Sequence, residues 1–383
     1  MVAGETSGDL LAAAVLRGLA QQAPALRTAG IGGPAMVAAG FDAWWPAEML
    51  AVRGYAEVLR AYPRLLRLRA ELRERLLAER PALFVGVDAP DFNLGLAERL
   101  KAAGMRTAHF VSPSIWAWRG GRIHSIGRAV DRMLCIFPFE PELYARAGID
   151  AVFVGHPLAD VIPRAVDRPA ARHALGLDPQ APVVALLPGS RASEIRYMAD
   201  GFMHAAAWLA ERRGDVRFVL PAATPAIRAT LDGLLGGPAS GALRRLQGRL
   251  MVLDGRSHDA LAAADTVLVA SGTATLEAAL FARPMVIAYR MARASYLIMR
   301  RMGYLPWVGL PNILCRDFVV PELIQDAATP EAMGAALLAQ LDDEGLRDRI
   351  ASRFTALHDA LARDCGRQAA AALLDMVDGG GRT

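Results

Sequence analysis

The feature that most constrains the fold of this chain is a series of short, continuously apolar segments separated by longer helical patterns. A strand that is apolar at every position, rather than at every second one, is typical of a parallel sheet covered on both faces. Alternation of such strands with helices predicts an α/β, doubly wound fold. Strands are predicted at nine places: 83–87, 108–111, 133–137, 152–155, 183–187, 216–220, 250–253, 266–270 and 285–289.

The length and a shift in composition predict how the chain is divided. A chain of 383 residues exceeds one ordinary core, so two domains are expected. A proline-rich stretch at 157–182 predicts a linker near 160–178. We therefore predict two Rossmann-like domains that face a central cleft, over 1–162 and 163–340. The helical segment 341–383 should pack back on the first domain or on a partner subunit, and its glycine-rich tail should be frayed.

Charge and cysteine usage exclude several classes of protein. The formal net charge is only +4, and the sequence has neither the basic stripe nor the recognition motif of a nucleic-acid-binding protein. Its three cysteines lack the spacing of a zinc site or a disulfide framework, which favours reduced thiols in the cytoplasm. Since the sequence shows no signal segment and no uncharged apolar run of about 18 residues, neither export nor membrane spanning is expected. Contact with a membrane surface is left open.

The amino end is short for a buried strand. Only three residues precede the glycine-rich turn at 4–9, whereas a strand normally has about 5–6 residues. We expect the natural start to lie upstream of Met1, which mass spectrometry of the native protein would test. The turn at 4–9 lacks the GxGxxG spacing of a dinucleotide site, but its glycines would let a substrate approach the backbone.

Two polar turns in the second half follow predicted strands and open helices. The turn at 187–191 offers a glycine, the N–H groups of a helix start and Arg191, which together suit a phosphate; the alternative is an ordinary turn with a serine cap. In the turn at 271–277, Ser271 or Thr273 can cap the helix. Glu277, one turn inside, could accept two ribose hydroxyls, or it could be a surface carboxylate at the positive end of the helix.

Two carboxylates and an amide follow the predicted strand at 83–87. Asp88 or Asp91 could serve as a general base if either lies within hydrogen-bond reach of an acceptor hydroxyl. Alternatively, Asp91 or Asn93 caps the helix that starts near Leu94. Capping would explain one aspartate but leave the other without a role.

Aromatic residues follow two further strands. Trp116 and Trp118 come after the strand at 108–111 and could stack on a sugar or hold an acyl chain; the alternative is packing in the core or between domains. His156 ends the strand at 152–155. It can be either a structural histidine bonded to the backbone or a catalytic one.

Residues 55–77 form a basic helical pattern. A basic amphipathic helix can lie on an anionic membrane. The alternative, which the pattern alone favours, is a helix that covers the sheet with solvated arginines. The residues of the pattern are Val58, Leu59, Tyr62, Leu65, Leu66, Leu72 and Leu76, with Arg60, Arg64, Arg67, Arg73 and Arg75 between them.

Taken together, these turns resemble those of the lipid-A-disaccharide synthases. The matching stretches span nearly the entire chain and occur in colinear order, which makes the resemblance highly specific. They are VAGETSGD at 2–9, VDAPDFN at 87–93, VSPSIWAWR at 111–119, FVGHPLAD at 153–160, LLPGSRASE at 186–194, ASGTATLEAAL at 270–280, PMVIAYRM at 284–291 and LPNIL at 310–314.

The resemblance implies a GT-B fold and an inverting glycosyl transfer without cofactor or metal. The donor would be UDP-2,3-diacylglucosamine and the acceptor the 6-hydroxyl of 2,3-diacylglucosamine 1-phosphate. Asp91 would be the base, with Asp88 orienting it or exchanging roles. The residues expected to hold UDP are Gly189, Ser190, Arg191, Ser271, Gly272, Thr273 and Glu277, and those expected to shape the acceptor side are Ser7, Gly8, Asp9, Trp116 and Trp118.

The same resemblance implies a cytoplasmic protein bound peripherally to the anionic inner face of the inner membrane, and it makes a swapped homodimer plausible. Two other functions compete with the transferase. One is another UDP-sugar enzyme of GT-B type, either a transferase or an epimerase that needs no acceptor. The other is a non-catalytic sugar-nucleotide or lipid-binding protein, which would keep the phosphate turn but need no aspartate base.

Overall fold

The computed structural model of the chain describes residues 1–50, 55–118, 120–237 and 240–379. They form two compact units, Met1–Asp160 with Ala360–Thr383 and Val161–Asp359. The sequence grouped 341–359 with the carboxyl-terminal segment, whereas the structure keeps these residues with the second unit.

The first unit is a seven-stranded parallel sheet with the strand order β3-β2-β1-β4-β5-β6-β7. Its strands are β1 (Val2–Ala3), β2 (Ala29–Gly32), β3 (Asp42–Pro46), β4 (Phe84–Val87), β5 (Thr107–Phe110), β6 (Arg132–Cys135) and β7 (Asp150–Phe153). The helices up to the unit boundary are α1 (Glu5–Gln22), α2 (Pro34–Ala38), α3 (Tyr55–Glu79), α4 (Pro90–Ala102), α5 (Ile123–Ala129), α6 (Glu140–Ala145) and α7 (Pro157–Val161).

The second unit is a six-stranded parallel sheet with the order β10-β9-β8-β11-β12-β13. Its strands are β8 (Val183–Leu187), β9 (Arg217–Ala222), β10 (Leu250–Asp254), β11 (Thr266–Ala270), β12 (Met285–Tyr289) and β13 (Glu322–Ile324). The remaining helices are α8 (Arg168–Ala174), α9 (Ala192–Arg212), α10 (Pro225–Gly236), α11 (Ser240–Arg245), α12 (Ser257–Ala263), α13 (Thr273–Leu280), α14 (Arg293–Met302), α15 (Leu310–Cys315), α16 (Pro330–Asp342), α17 (Glu344–Leu361) and α18 (Cys365–Asp378).

The predicted α/β class is confirmed, and each of the nine predicted strands is present to within two residues. These strands were recognisable because they are buried on both faces; β8 and β11, for example, are buried at every position. The prediction did not place β2, β3 and β13. β3 and β13 are edge strands with partly exposed residues, and β2 contains two glycines, so none of the three is a continuous apolar run.

The helices of the first unit cover its sheet on both faces. On one face α1 and α18 pack against the strands, and on the other α3, α4 and α5 do so. Among the side chains of α3 that the structure describes, Leu68, Leu72 and Leu76 are buried. The predicted membrane-facing residues Val58, Leu59 and Arg60 lie outside the described side chains.

The described side chains of the basic pattern in α3 differ in their exposure to solvent. Arg64 and Arg67 are exposed, as is Tyr62 at 56%. Arg75 stacks on the Trp44 ring at 3.9 Å, and Arg73 is half-buried. Among the described residues, no helix combines the length and apolar character that crossing a bilayer requires.

The carboxyl-terminal helix α18 returns to the first unit and packs on α1. The contact is close because it joins two glycines: a Cβ on Gly18 would lie 2.5 Å from the carbonyl oxygen of Gly366, and a Cβ on Gly366 would lie 2.6 Å from that of Ala14. The start of α18 is capped from a distance, because the Asp160 carboxylate accepts the N–H groups of Asp364 and Cys365 at 2.9 and 2.6 Å.

We expect the substitution Gly366→Ala to destabilise the protein by about 1–3 kcal/mol, because the new methyl group would push apart two helix backbones that cannot shift independently. Chemical denaturation of the purified protein would measure this. The matched control is Gly233→Ala within α10, where a Cβ meets nothing within 4 Å; there the gain in helix propensity should stabilise by up to about 1 kcal/mol. Equal stabilities for the two variants would contradict the close α1–α18 contact.

Candidate active site

The strand orders place the predicted turns at one special position in each sheet. In an open parallel sheet, a crevice forms at the carboxyl edge where the strand order reverses. The reversal lies between β1 and β4 in the first unit and between β8 and β11 in the second. The turns that follow these four strands are 4–9, 88–93, 187–191 and 271–277, and all four are among those that the sequence singled out.

A cavity of about 440 Å³ occupies the crevice of the second unit. It brings together every residue that the sequence assigned to the donor side. The lining includes Gly189, Ser190, Arg191, Ser271, Gly272, Thr273 and Glu277, together with Glu194, Ser257 and Tyr289.

The phosphate turn of the second unit differs from expectation in one respect. The backbone N–H groups of Ser190 and Arg191 donate to Glu194 Oε2 at 3.0 and 3.2 Å, so a carboxylate of the protein occupies the donors assigned to a phosphate. Gly189 has a φ of +130°, and a Cβ there would lie 2.5 Å from that of Glu194, so only glycine fits this close approach. A serine cap is not formed. A phosphate bound at this turn would compete with Glu194 for the same N–H groups.

The turn at 271–277, which also lines this cavity, does not form the predicted helix cap. Gly272 takes the N-cap position of α13 without a side-chain cap, and Ser271 Oγ donates instead to the Val308 carbonyl at 3.4 Å. Glu277 is 20% exposed and lies 3.4 Å from His258 Nε2, and this hydrogen bond raises the pKa of His258. The histidine, which sequence reasoning missed, holds the carboxylate at the cavity wall.

In the first unit, a pocket of about 310 Å³ lies next to this crevice, between the turns that follow β4 and β5. It is lined by Asp88, Asp91, Ser112, Trp118 and Arg122, among others. The structure thus brings both predicted aspartates together with one of the two predicted tryptophans.

The aspartate turn is strained. Asp88 and Ala89 both have positive φ, +51° and +42°, which residues with a side chain rarely adopt. The amide of the buried Asn93 supports this conformation by donating to the Asp88 and Val2 carbonyls at 2.8 and 3.2 Å. Neither Asp91 nor Asn93 caps α4, whose N-cap is Ala89 without a side-chain bond. The capping alternative for these residues is therefore wrong.

Asp91 forms an ion pair that the sequence did not predict. Its Oδ1 lies 2.7 Å from Arg122 Nη2, with side chains 89% and 28% exposed respectively. An ion pair this open to solvent contributes only about 0.2–1 kcal/mol. The carboxylate can therefore exchange its partner at little cost.

The glycine-rich first turn approaches the aspartate turn at Gly8, where a Cβ would lie 3.8 Å from that of Asp88. Ser7 is exposed beside it. Asp9 is not available to a substrate in this way: its carboxylate is buried and accepts the N–H groups of Gly33, Ala35 and Met36 at 2.9–3.0 Å. It caps α2, which has no cap of its own.

The two tryptophans have different surroundings. Trp118 is 43% exposed and lines the pocket. Trp116 is half-buried, contacts the rings of Phe137 and Phe139 edge-on, and donates from Nε1 to Glu140 Oε1 at 3.1 Å. Trp116 therefore supports the pocket from behind. Arg119, the last residue of this motif, lies outside the described residues.

Glu140 is a fully buried carboxyl group that sequence reasoning missed. It also accepts the Phe137 N–H at 3.0 Å, and burial raises its pKa to about 7. Close by, Ser112 on the pocket wall is bonded to Tyr144 Oη at 2.8 Å. No local pattern could have indicated Glu140, because its burial depends on residues far away in the sequence.

His156 proves to be a backbone-bonded structural residue. Its N–H donates to the Leu361 carbonyl at 2.9 Å, and its Nδ1 accepts the N–H of Leu158 at 3.2 Å. The ring stacks on Phe137 with centroids 5.5 Å apart, and burial lowers the pKa of the imidazole to about 4.

Known proteins resemble this chain over almost its full length. Residues 1–373 match the family model described as lipid-A-disaccharide synthetase. A lipid-A-disaccharide synthase of Azoarcus sp. is 54% identical over 377 residues, which cover 98% of this chain and 94% of that protein.

Solved structures resemble the fold at much lower identity. The UDP-GlcNAc 2-epimerase of Neisseria meningitidis, solved bound to UDP-GlcNAc, has a TM-score of 0.63 at 10% identity and covers 98% of each chain. The Anabaena HepE protein in complex with UDP and glucose has a TM-score of 0.56 at 13% identity, covering 99% of this chain and 98% of that one. The likeness to such proteins identifies the GT-B fold.

The pKa of Glu140 makes stability depend on pH. Because its pKa is raised from 4.5 to about 7 in the folded state, its stabilising contribution is complete below pH 4.5 and is lost as the pH rises through 7. Relative to the variant Glu140→Gln, the wild type should therefore lose about 2–3 kcal/mol of unfolding free energy between pH 5 and pH 8. Urea denaturation at both pH values measures the difference. The exposed neighbour Glu142 supplies the control: Glu142→Gln keeps Glu140 and should therefore lose stability between pH 5 and pH 8 as the wild type does. If Glu140→Gln lost as much stability as the wild type over this range, the raised pKa of Glu140 would be refuted.

Proposed function

Since the chain belongs to the lipid-A-disaccharide synthetase family, and is thus a glycosyltransferase of lipid A biosynthesis, we propose that it transfers 2,3-diacylglucosamine from UDP to 2,3-diacylglucosamine 1-phosphate. The acceptor 6-hydroxyl oxygen attacks the anomeric carbon of the donor as the bond from that carbon to the UDP oxygen breaks. The hydroxyl proton passes to a base, and the products are a β-1,6-linked disaccharide 1-phosphate and UDP.

The observation that carries this proposal is the pair of aspartates in the crevice of the first unit. Asp88 is held there by a strained backbone that costs folding energy, and such strain is characteristic of functional turns. A protein that only bound a sugar nucleotide or a lipid would need no aspartate base. A base within reach of the acceptor hydroxyl is what an inverting transfer needs.

Asp91 is our choice as the base, with Asp88 orienting it or exchanging roles. Asp91 is the more exposed of the two and so the freer to move against a bound acceptor. Asp88 has the more rigid position, since its own N–H donates to the Phe110 carbonyl and its carbonyl accepts from Asn93.

The leaving UDP would be stabilised by the cavity of the second unit. The turn at Gly189 and the first turn of α9 present N–H groups and the positive end of a long helix, which favour a diphosphate. Glu194 would have to leave these donors, and Arg191, whose side chain is 79% exposed, can follow the phosphate. Thr273 opens α13 on the opposite wall, and Glu277, held by His258, would accept the ribose hydroxyls.

The acceptor side would be formed by Ser7, Gly8 and Trp118. Asp9 and Trp116, which we expected to contact the acceptor, would act by supporting α2 and the pocket wall. The UDP complexes of proteins with this fold support the nucleotide part of the proposal. The likeness to an epimerase leaves that activity as a second outcome for the test.

The decisive experiment incubates the purified protein with UDP-2,3-diacylglucosamine, with and without 2,3-diacylglucosamine 1-phosphate, in the presence of a chelator, and reads the products by mass spectrometry. Disaccharide and UDP that appear only with the acceptor, and that survive chelation, would support a metal-independent synthase. Conversion of the donor without acceptor would indicate an epimerase instead. Binding of UDP without any conversion would indicate a binding protein.

Single substitutions separate the two sites. We expect Asp91→Ala to reduce turnover at least about 100-fold while UDP affinity stays unchanged, because the base acts only on the acceptor proton. Arg191→Ala, as the counterpart, should weaken UDP binding about tenfold or more, since it removes a charge-assisted contact to the diphosphate. Calorimetry with UDP and steady-state kinetics measure both. If Asp91→Ala retains near-normal turnover and Asp88→Ala does not, the roles of the two aspartates are exchanged.

We also propose that the protein works at the cytoplasmic face of the inner membrane, with the exposed part of α3 on the anionic surface. Arg64, Arg67 and Tyr62 would make the contact. The double substitution Arg64→Glu/Arg67→Glu should lower co-sedimentation with anionic liposomes at least about tenfold. Arg17→Glu/Arg349→Glu changes the net charge equally at two other exposed positions and should bind like the wild type. Equal behaviour of the two variants would favour α3 as an ordinary surface helix.

A further inference from the structure

The pocket of the first unit contains a cation that the reaction as proposed does not use. Arg122, at the end of the 3-10 turn Gly120–Arg122, extends its guanidinium to Asp91, and its side chain is 28% exposed. Among the described residues that line this pocket, it is the only one with a positive charge.

The position of this guanidinium conflicts with the role of Asp91. A carboxylate takes a proton best when its oxygens are free to approach the hydroxyl. Here Arg122 Nη2 holds Asp91 Oδ1 at 2.7 Å. The proposed base is therefore engaged by a cation and must be released before it can act.

An acceptor that carries a phosphate can bring about this release. A phosphate monoester carries a charge of about −1.5 to −2 near neutral pH, and a guanidinium binds it with two parallel hydrogen bonds. The exposed Asp91 competes for Arg122 with one screened contact only. Without Arg122, the two carboxylates of the pocket would repel the phosphate.

We infer that Arg122 is the binding residue for the phosphate of the acceptor, and that it exchanges Asp91 for this phosphate when the acceptor enters. This inference rests on the proposed function, because it takes the acceptor to be a phosphorylated glycolipid. Binding of the phosphate frees the Asp91 carboxylate. The correct substrate thereby activates its own base.

Among the described neighbours of Arg122, no side chain supplies a second cation for the phosphate. Beneath it, on β5, His109 is 1% exposed, and neither ring nitrogen has a partner among the described residues. Burial and the nearby charge of Arg122 lower the pKa of His109 to about 4, so this imidazole is neutral at pH 7 and binds no anion. Tyr144 and Glu140 lie behind Ser112, which lines the pocket. Besides Asp91 and Arg122, the charged residue among the described lining residues is Asp88.

The test compares two acceptors that differ only in the phosphate, 2,3-diacylglucosamine 1-phosphate and 2,3-diacylglucosamine, at saturating donor. For Arg122→Gln we expect kcat/KM to fall about 10- to 100-fold with the phosphorylated acceptor and less than about threefold with the other. Arg122→Lys, which keeps the charge but loses the bidentate geometry, should retain part of the preference. Arg128→Gln, on the exposed side of α5, should behave like the wild type.

The selectivity ratio distinguishes phosphate binding from a structural role. If Arg122 only orients Asp91 or stabilises the turn, the substitution lowers kcat/KM for both acceptors by the same factor, and the inference is wrong. Binding of each acceptor in detergent micelles without donor, followed by calorimetry, tests the inference even if no disaccharide is formed. A wild type that binds both acceptors equally, or binds neither, would overturn it; failure of turnover with a retained Arg122-dependent preference would instead overturn only the proposed reaction.

Discussion

Within each sheet the described strands are all parallel to one another, and the remaining structure of each unit depends on this constraint. Parallel neighbours cannot be joined by a tight hairpin, so each connection carries a helix and both faces of the sheet become buried. The central strands, such as β8 and β11, are then apolar and buried along their whole length, which leaves no place there for chemistry. Polar groups collect in the turns at the carboxyl edge, and the point where the strand order reverses opens a crevice between two of them. Each unit has one such crevice. Candidate site residues line it in the second unit, and in the first unit they lie next to it, between the turns after β4 and β5.

The side chains at these crevices depend on polar groups that are fixed by hydrogen bonds within the protein. Asn93 supports the strained aspartate turn, and Glu140 anchors Trp116 behind the pocket wall. Asp9 caps α2 with three hydrogen bonds, as Glu194 does for the phosphate turn with two. A buried polar group without a partner costs folding energy, so these groups are fixed where their partners are. The crevices thereby acquire rigid walls, while Asp91, Arg122 and Arg191 at the surface remain free to exchange partners.

The stretches that resemble the lipid-A-disaccharide synthases serve the fold as well as the chemistry. In the stretch at 153–160, Asp160 caps the distant helix α18 and His156 bonds to the backbone before it. In the stretch at 310–314, the buried Asn312 amide bonds to the backbone of Val320 and to the Glu322 carboxylate. Family resemblance alone therefore does not distinguish a residue that contacts substrate from one that stabilises the fold.

The sequence by itself determined the fold class, nine of the strands and the four turns that carry the candidate sites, because these follow from the periodicity of neighbouring residues and from glycine, proline and polar residues at strand ends. It could not determine the strand order, which brings turns 84 residues apart, such as those around Gly4 and Asp88, to one crevice. Nor could it show that Arg122 holds Asp91, that Glu194 occupies the phosphate donors, or that Asp9 is a cap. Only the tertiary structure determines these contacts, because burial, ion pairing and hydrogen bonding depend on which distant residues meet. The local sequence pattern contains no information on which distant residues those are.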